Sequence, residues 1–161
     1  MEQSQQLPLW FIPLFPLFFI GMWMFIMTLL ASLGGWRTLA RLYPAPDGAP
    51  RDAAHTFRMT SIDLRGPLPL PVNYSNCVTI AITPAGLHLR VMAFFRFRHP
   101  PLLIPWTHIG RLEPGRMLFW RTLTLHPRDT GVRIRMLARP GEAVEEVARQ
   151  LAARRGEPAP V

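Results

Sequence analysis

A chain of 161 residues holds one domain of ordinary size plus an appendage, and leaves no room for a second full domain. Its single cysteine excludes a disulfide framework. All 18 basic residues are arginine, set against ten acids for a formal net charge of +8, a balance that suits anionic lipid, RNA or DNA as a neighbour.

The first predicted element is apolar. From Leu7 to Leu33 no side chain carries a charge, and a run of that length predicts a membrane-spanning helix. The part after Pro16, from Leu17 to Leu33, reaches roughly 25 Å by itself at 1.5 Å per residue. A cleaved signal peptide needs a basic start and a short apolar core. Here the start is Met1-Glu2-Gln3-Ser4-Gln5-Gln6, with an acid and no basic side chain, so a retained anchor is expected. Arg37 and Arg41 follow the span and no basic side chain precedes it, which by the positive-inside rule places the bulk of the chain in the cytoplasm. All 18 arginines and every acid except Glu2 lie on that side, and the tether favours lipid over nucleic acid as their partner.

Gly35 to Tyr43 has two readings. Trp36, with Tyr43, suits the membrane interface, with Arg37 and Arg41 reaching headgroups. Leu39 and Leu42 equally suit a continuing helix. Residues 44–54, rich in proline, glycine and alanine, read as a linker. The expected organisation is an anchor with its juxtamembrane segment over 1–43, a domain over 55–154 and a tail over 155–161.

Within the domain, apolar residues alternate with others. Val78, Ile80 and Ile82 mark a strand with one buried face, and Thr83-Pro84-Ala85-Gly86 a turn. Leu87 to Arg98 reads as one long strand: Leu87, Leu89, Val91, Phe95 and Phe97 point inward, while Arg90, Arg96 and Arg98 share the outer face. Pro100 and Pro101 break the ladder, and Leu102 to Trp106 resumes as a short edge strand because Pro105 cannot donate a ladder hydrogen bond. Ile104, Pro105 and Trp106 there suit either core or a docking groove for another chain. Met117–His126 and Val132–Ala138 form a second hairpin, whose outer face carries Arg133, Arg135 and Arg139. Val144, Val147, Ala148 and Leu151 then share one face of a helix introduced by Pro140-Gly141.

Six or seven antiparallel strands closed by one C-terminal helix is the order expected of a pleckstrin-homology-like (PH-like) barrel. Gly86-Leu87-His88-Leu89 followed by Ile104-Pro105-Trp106-Thr107-His108-Ile109 resembles a passage common in GRAM and bacterial PH-like domains. Asn73-Tyr74-Ser75-Asn76 through HPPLLIPW is similar to a group of membrane-anchored bacterial proteins. The resemblance covers 55–154 and implies a bacterial inner-membrane protein whose domain binds or scaffolds and is not an enzyme. Members that grip phosphoinositides carry several bases around the first hairpin. The matching stretch Asp63–Pro71 has only Arg65, so that specificity is not expected.

Catalytic and metal chemistry is sparse. The five histidines, His55, His88, His99, His108 and His126, show no i, i+4 pair, so no metal and no cofactor is expected. Cys77, at the start of a buried alternation, reads as a small hydrophobe. No phosphate-binding glycine loop and no GxSxG elbow occurs. The arginine stripes, Arg90/Arg96/Arg98 and Arg133/Arg135/Arg139, are the leading candidates for contact with anionic lipid or a membrane-protein partner, against ordinary solvated faces. The expected function is a tethered, non-catalytic module at the cytoplasmic membrane surface. The alternative is a structural subunit of a membrane complex with incidental basic surface.

Overall fold

The computed structural model describes residues 11–46, 48–67 and 70–155. The N-terminal helix α1 runs Phe11–Leu33, and its Pro13–Leu33 portion is long and apolar enough to cross a membrane. It contains Pro16, which lies past its first four residues, so the N–H that proline lacks is one that would otherwise bond the carbonyl of residue 12. Gly34 and Gly35 turn the chain into a short helix α2, Trp36–Leu42.

Seven strands follow: β1 His55–Arg65, β2 Pro71–Ile82, β3 Gly86–Val91, β4 Leu102–Pro105, β5 Ile109–Met117, β6 Trp120–Pro127 and β7 Arg133–Leu137. They form one curled antiparallel sheet in the order β4-β3-β2-β1-β7-β6-β5, a half-barrel, and helix α3, Arg139–Arg155, packs on β1, β6 and β7. The curl has a local cause. The β1–β2 register shifts twice, between Phe57 and Thr60 and between Thr60 and Ile62, and such bulges bend a strand and add twist. Thr60 Oγ1 donates to the Val78 carbonyl at 2.9 Å, and the Asn76 N–H donates to Ser61 Oγ at 3.0 Å, so the bulge keeps its hydrogen bonds.

One face of this sheet is the core. Ile62, Leu64, Val78, Ile80, Ile82, Leu87, Leu89, Leu125 and Ile134 are fully buried on it, joined by Val144 and Ala148 of α3. The alternation in β2, in the first half of β3 and in β7 lies where the sequence puts it. The strand β5 carries no clear alternation, because Gly110, Pro114 and Gly115 interrupt it; its place at a sheet edge tolerates the proline. Met117–His126, expected as one strand, is divided by the hairpin bend at Leu118-Phe119: Met117 closes β5 and Trp120 opens β6.

Two boundaries differ from expectation. The strand β3 stops at Val91, and the α2 segment belongs to the core, with Trp36 and Leu39 fully buried and Tyr43 nearly so. Burying three such side chains contributes on the order of 1.5–3 kcal/mol each. The proline-rich stretch that follows is partly bound to the sheet: Ala45 N–H donates to the Pro101 carbonyl, Leu103 N–H to that of Tyr43, and Ala54 N–H to that of Ile82. The tail beyond Arg155 lies outside the described residues.

Glycines make the joint between helix and sheet. A methyl group at Gly66 would stand 2.7 Å from the Leu33 carbonyl oxygen and 3.0 Å from the Gly35 nitrogen; one at Gly35, whose φ is +79°, would meet Val132 at 2.8 Å. Gly66→Ala is therefore expected to lower stability by about 1–3 kcal/mol, the usual cost of overpacking. Gly21→Ala, with nothing within 4 Å, leaves it unchanged. Thermal melts of the two variants in detergent check this; equal midpoints would contradict a close-packed joint.

Candidate functional site

The joint sets the height of every arginine relative to α1. Gly66 touches the end of α1, so Arg65 lies one residue away from it; Val132 touches Gly35, so Arg133 does too. These two arginines stand directly opposite each other across β1 and β7, both exposed. Like charges facing each other across a sheet repel, which makes the pair a place where an anion is favoured. On α2, Arg37 and Arg41 are exposed, and Arg37 Nη1 donates to Ser32 Oγ at 3.3 Å, reaching back along α1.

On the same outer face Arg135 stands opposite Asp63, Glu113 lines one groove with Arg65, Arg133 and Arg135, and Arg111 and His126 border Arg133. Glu113 holds Arg111 at 3.3 Å, its other oxygen lies 3.2 Å from His126 Nε2 without a hydrogen bond to it, and Asn73 Nδ2 donates to Asp63. In that groove Arg65, Arg133 and Arg135 stand against the carboxylates of Asp63 and Glu113, three charges to two, so it keeps a net positive charge. The third residue expected in this stripe, Arg139, is not on the strand. Ala138 takes a left-handed conformation at φ 49°, ends β7 and makes Arg139 the first residue of α3, at the end of β7 remote from α1. A five-residue strand is about 15 Å long, whereas screening acts over about 8 Å, so Arg139 is electrically separate from Arg133.

The other expected stripe is divided as well. Arg90 lies on β3, half-buried, opposite Thr79. Arg96 and Arg98 lie in the loop that follows, where Ala93–Phe95 forms a single 3-10 turn. The Met92 N–H donates to the Cys77 carbonyl at 2.7 Å as the last rung to β2; the Phe95, Arg96 and His99 amides then close successive turns that take the chain off the sheet. Consequently Phe97 is exposed and not in the core, and Phe94 is 69% exposed. The loop leans on α1: the Trp23 ring stands 5.0 Å from Phe94 and 5.4 Å from Phe95.

Beneath the loop lies a buried aromatic knot. Trp36 does not face a membrane surface: it is fully enclosed, its Nε1 donates to the Pro100 carbonyl at 3.0 Å, and its ring packs against Tyr74 and His99. His99 Nδ1 lies 2.9 Å from the Phe97 carbonyl, which can only accept, so Nδ1 carries the proton. Nε2, 3.0 Å from Tyr74 Oη, therefore accepts the phenol proton in the neutral ring. Burial pushes the Tyr74 phenol far above its ordinary range and holds the His99 ring below that of a free histidine. Burial, with Arg90 adding to it, does the same to His88. The knot joins α1, α2, β2 and the loop.

Ile104, Pro105 and Trp106 do not form an open groove. Ile104 is fully buried, Pro105 is half-buried, and Trp106 fills the core with its Nε1 donating to the Thr83 carbonyl at 2.9 Å. The free side of β4 is partly closed by a bridge from Pro44 to Leu102. A surface that alternation did not reveal is the β5–β6 hairpin tip, where Leu118 is 84% and Phe119 93% exposed beside an exposed Trp120. Four consecutive apolar residues, Met117 to Trp120, between Arg116 and Arg121 were its only trace in the sequence. Among the described residues no three His, Cys, Asp or Glu side chains converge as metal ligands, and burial pushes the Cys77 thiol up, away from the thiolate form. No protein-family model matches the chain, and no curated protein does either.

Because His99 and His88 resist protonation when folded, the unfolded chain takes up protons first as pH falls below about 6.5. Stability is therefore expected to drop between pH 7 and 5.5, by at most about 1.4 kcal/mol per pH unit for each histidine. His99→Gln should give a shallower slope, read from urea midpoints at each pH; an unchanged slope would contradict the assignment.

Proposed function

We propose that this chain is a single-pass bacterial inner-membrane protein whose cytoplasmic, PH-like domain is a non-catalytic module contacting anionic lipid at the membrane surface. The observation that carries the reading is the position of Arg65 and Arg133, facing each other one residue from the contacts that fix the sheet to the end of α1. The joint stands about 10 Å beyond Ile26 along α1 at 1.5 Å per residue, so these arginines come within a Debye length of an anionic leaflet through the reach of their side chains, and there each contributes about 1 kcal/mol. The PH-like assignment is supported by the strand order β4-β3-β2-β1-β7-β6-β5 with a C-terminal helix, together with the sequence resemblance. The cytoplasmic side is supported by Arg37 and Arg41, exposed just beyond the apolar helix.

A second reading, a structural subunit of a membrane complex, is favoured by the hairpin tip. The β7 strand begins beside Val132 at the anchor and ends at Leu137, opposite Thr122, and the hairpin continues past that point to Phe119. The tip therefore lies at the end of β7 remote from α1, and an apolar surface there suits a protein partner.

The full chain in nanodiscs tests the lipid reading. Its thermal midpoint is expected to be a few degrees higher in anionic than in zwitterionic lipid at low salt. The difference should shrink at high salt and in Arg65→Gln/Arg133→Gln; equal midpoints in both lipids would reject it. A reporter fused to the C-terminus is expected to be active on the cytoplasmic side, and activity in the periplasm would reverse the topology. If the partner reading is right instead, a stoichiometric protein co-purifies with the wild-type chain in mild detergent and is lost from Phe119→Ser.

A further inference from the structure

The loop between β3 and β4 is apolar on its outside, hydrogen-bonded within itself and pressed against the anchor. Its depth follows from the sequence of α1. Every side chain from Leu7 to Met27 is apolar, and the first hydroxyl is Thr28, followed by Ser32, which Arg37 reaches. A span needs about 20 residues, and twenty counted from Leu7 end at Ile26, just before Met27 and Ala31 are buried against the domain, so the boundary falls within a turn of Trp23, the residue type that favours such a boundary. Phe94 and Phe95 contact Trp23 itself, about 15 Å back along the helix from Leu33 at 1.5 Å per residue. The loop thus lies at the level of the anchor's own apolar surface and continues it.

We propose that the β3–β4 loop is a second membrane-inserting element, a wedge whose Phe94 and Phe97 enter the acyl region of the cytoplasmic leaflet beside Trp23 while Arg98 meets the lipid phosphates. The proposal rests on the reading of α1 as a bilayer anchor. The chemistry is divided as an interface requires. Phe94 and Phe97 are exposed although a folded domain has core to offer them, and Met92 is exposed beside them. Arg98, also exposed, stands 5.7 Å from the centre of the Phe97 ring, so one side chain supplies the apolar contact and its neighbour the cation. The turn amides of Phe95, Arg96 and His99 are bonded within the loop, which lowers the cost of carrying its backbone toward lipid. Pro100 and Pro101 then return the chain to β4. A helix and a wedge together fix the rotation of the domain about the anchor, which a single span does not.

The experiment uses the full chain with Cys77→Ala and one new cysteine at a time, Phe94→Cys, Phe97→Cys, Phe119→Cys or Ile20→Cys, carrying a polarity-sensitive fluorophore in vesicles of mixed phosphatidylcholine and phosphatidylglycerol. Labels at 94 and 97 are expected to emit at shorter wavelength than the label at 119. They should also be quenched several-fold more by lipids bearing a nitroxide near the headgroup, and protected from aqueous iodide. The label at 119 reports an equally apolar, exposed site remote from the anchor. If the labels at 94 and 97 are quenched by iodide as strongly as the label at 119, or are shielded from lipid and iodide alike, the wedge is overturned while the anchor stands. If the label at Ile20 also escapes lipid quenching, the anchor reading fails and the wedge fails with it.

Discussion

Gly34, Gly35 and Gly66 let the end of an apolar helix touch the backbone of a β-sheet, with spacings too small for a side chain on either partner. The consequence is mechanical: α1, α2 and the sheet share one core, because Ala31, Trp36, Leu39 and Tyr43 are buried together with the strand residues. An anchor joined through a flexible linker lets its domain sample every orientation and height. Here the helix end is packed in, and the hydrogen bonds from Tyr43 to Arg128 and from Trp36 to Pro100 brace it from two sides.

A fixed joint turns a diffuse positive charge into a positioned one. With 18 arginines in the chain, net charge alone assigns a role to none of them. Screening over about 8 Å makes height above a charged surface the quantity that separates contributors from bystanders. Arg65 and Arg133 lie at the joint, Arg98 lies in the loop beside Trp23, and Arg139 lies a strand length away. Glu113 and Asp63 offset part of the positive charge in the groove that Arg65 and Arg133 share with Arg135.

Exposed apolar surface falls in two places with different neighbours. Phe94 and Phe97 extend the surface of α1, whereas Leu118, Phe119 and Trp120 stand clear of it at the far end of the β5–β6 hairpin. Solvated apolar residues in a cluster are costly, and a cluster's surroundings decide what relieves the cost. The first continues a lipid-compatible face; the second is left for a protein surface.

Length and polarity by themselves determined the apolar helix, because a charge-free run of 27 residues has few other uses. Period-two alternation in Val78-Ile80-Ile82, Leu87-Leu89-Val91 and Ile134-Met136 likewise determined strands, and Val144/Ala148 the closing helix, since each buries one face of its own element. What local pattern did not carry was where a strand stops. The alternation of FRFR continues past Val91, but the Met92 amide on the Cys77 carbonyl is the last rung to β2 and the 3-10 turn at Ala93–Phe95 takes the chain off the sheet, so Arg96, Phe97 and Arg98 leave the faces that alternation gave them while Phe95 still packs against the core. Trp36 has the composition of an interface residue and the place of a core residue, because the glycine turn before it directs α2 inward. The nearness of Arg65 to Arg133, 68 positions apart in the chain, was decided by the pairing of β1 with β7, a contact that no short stretch of sequence contains.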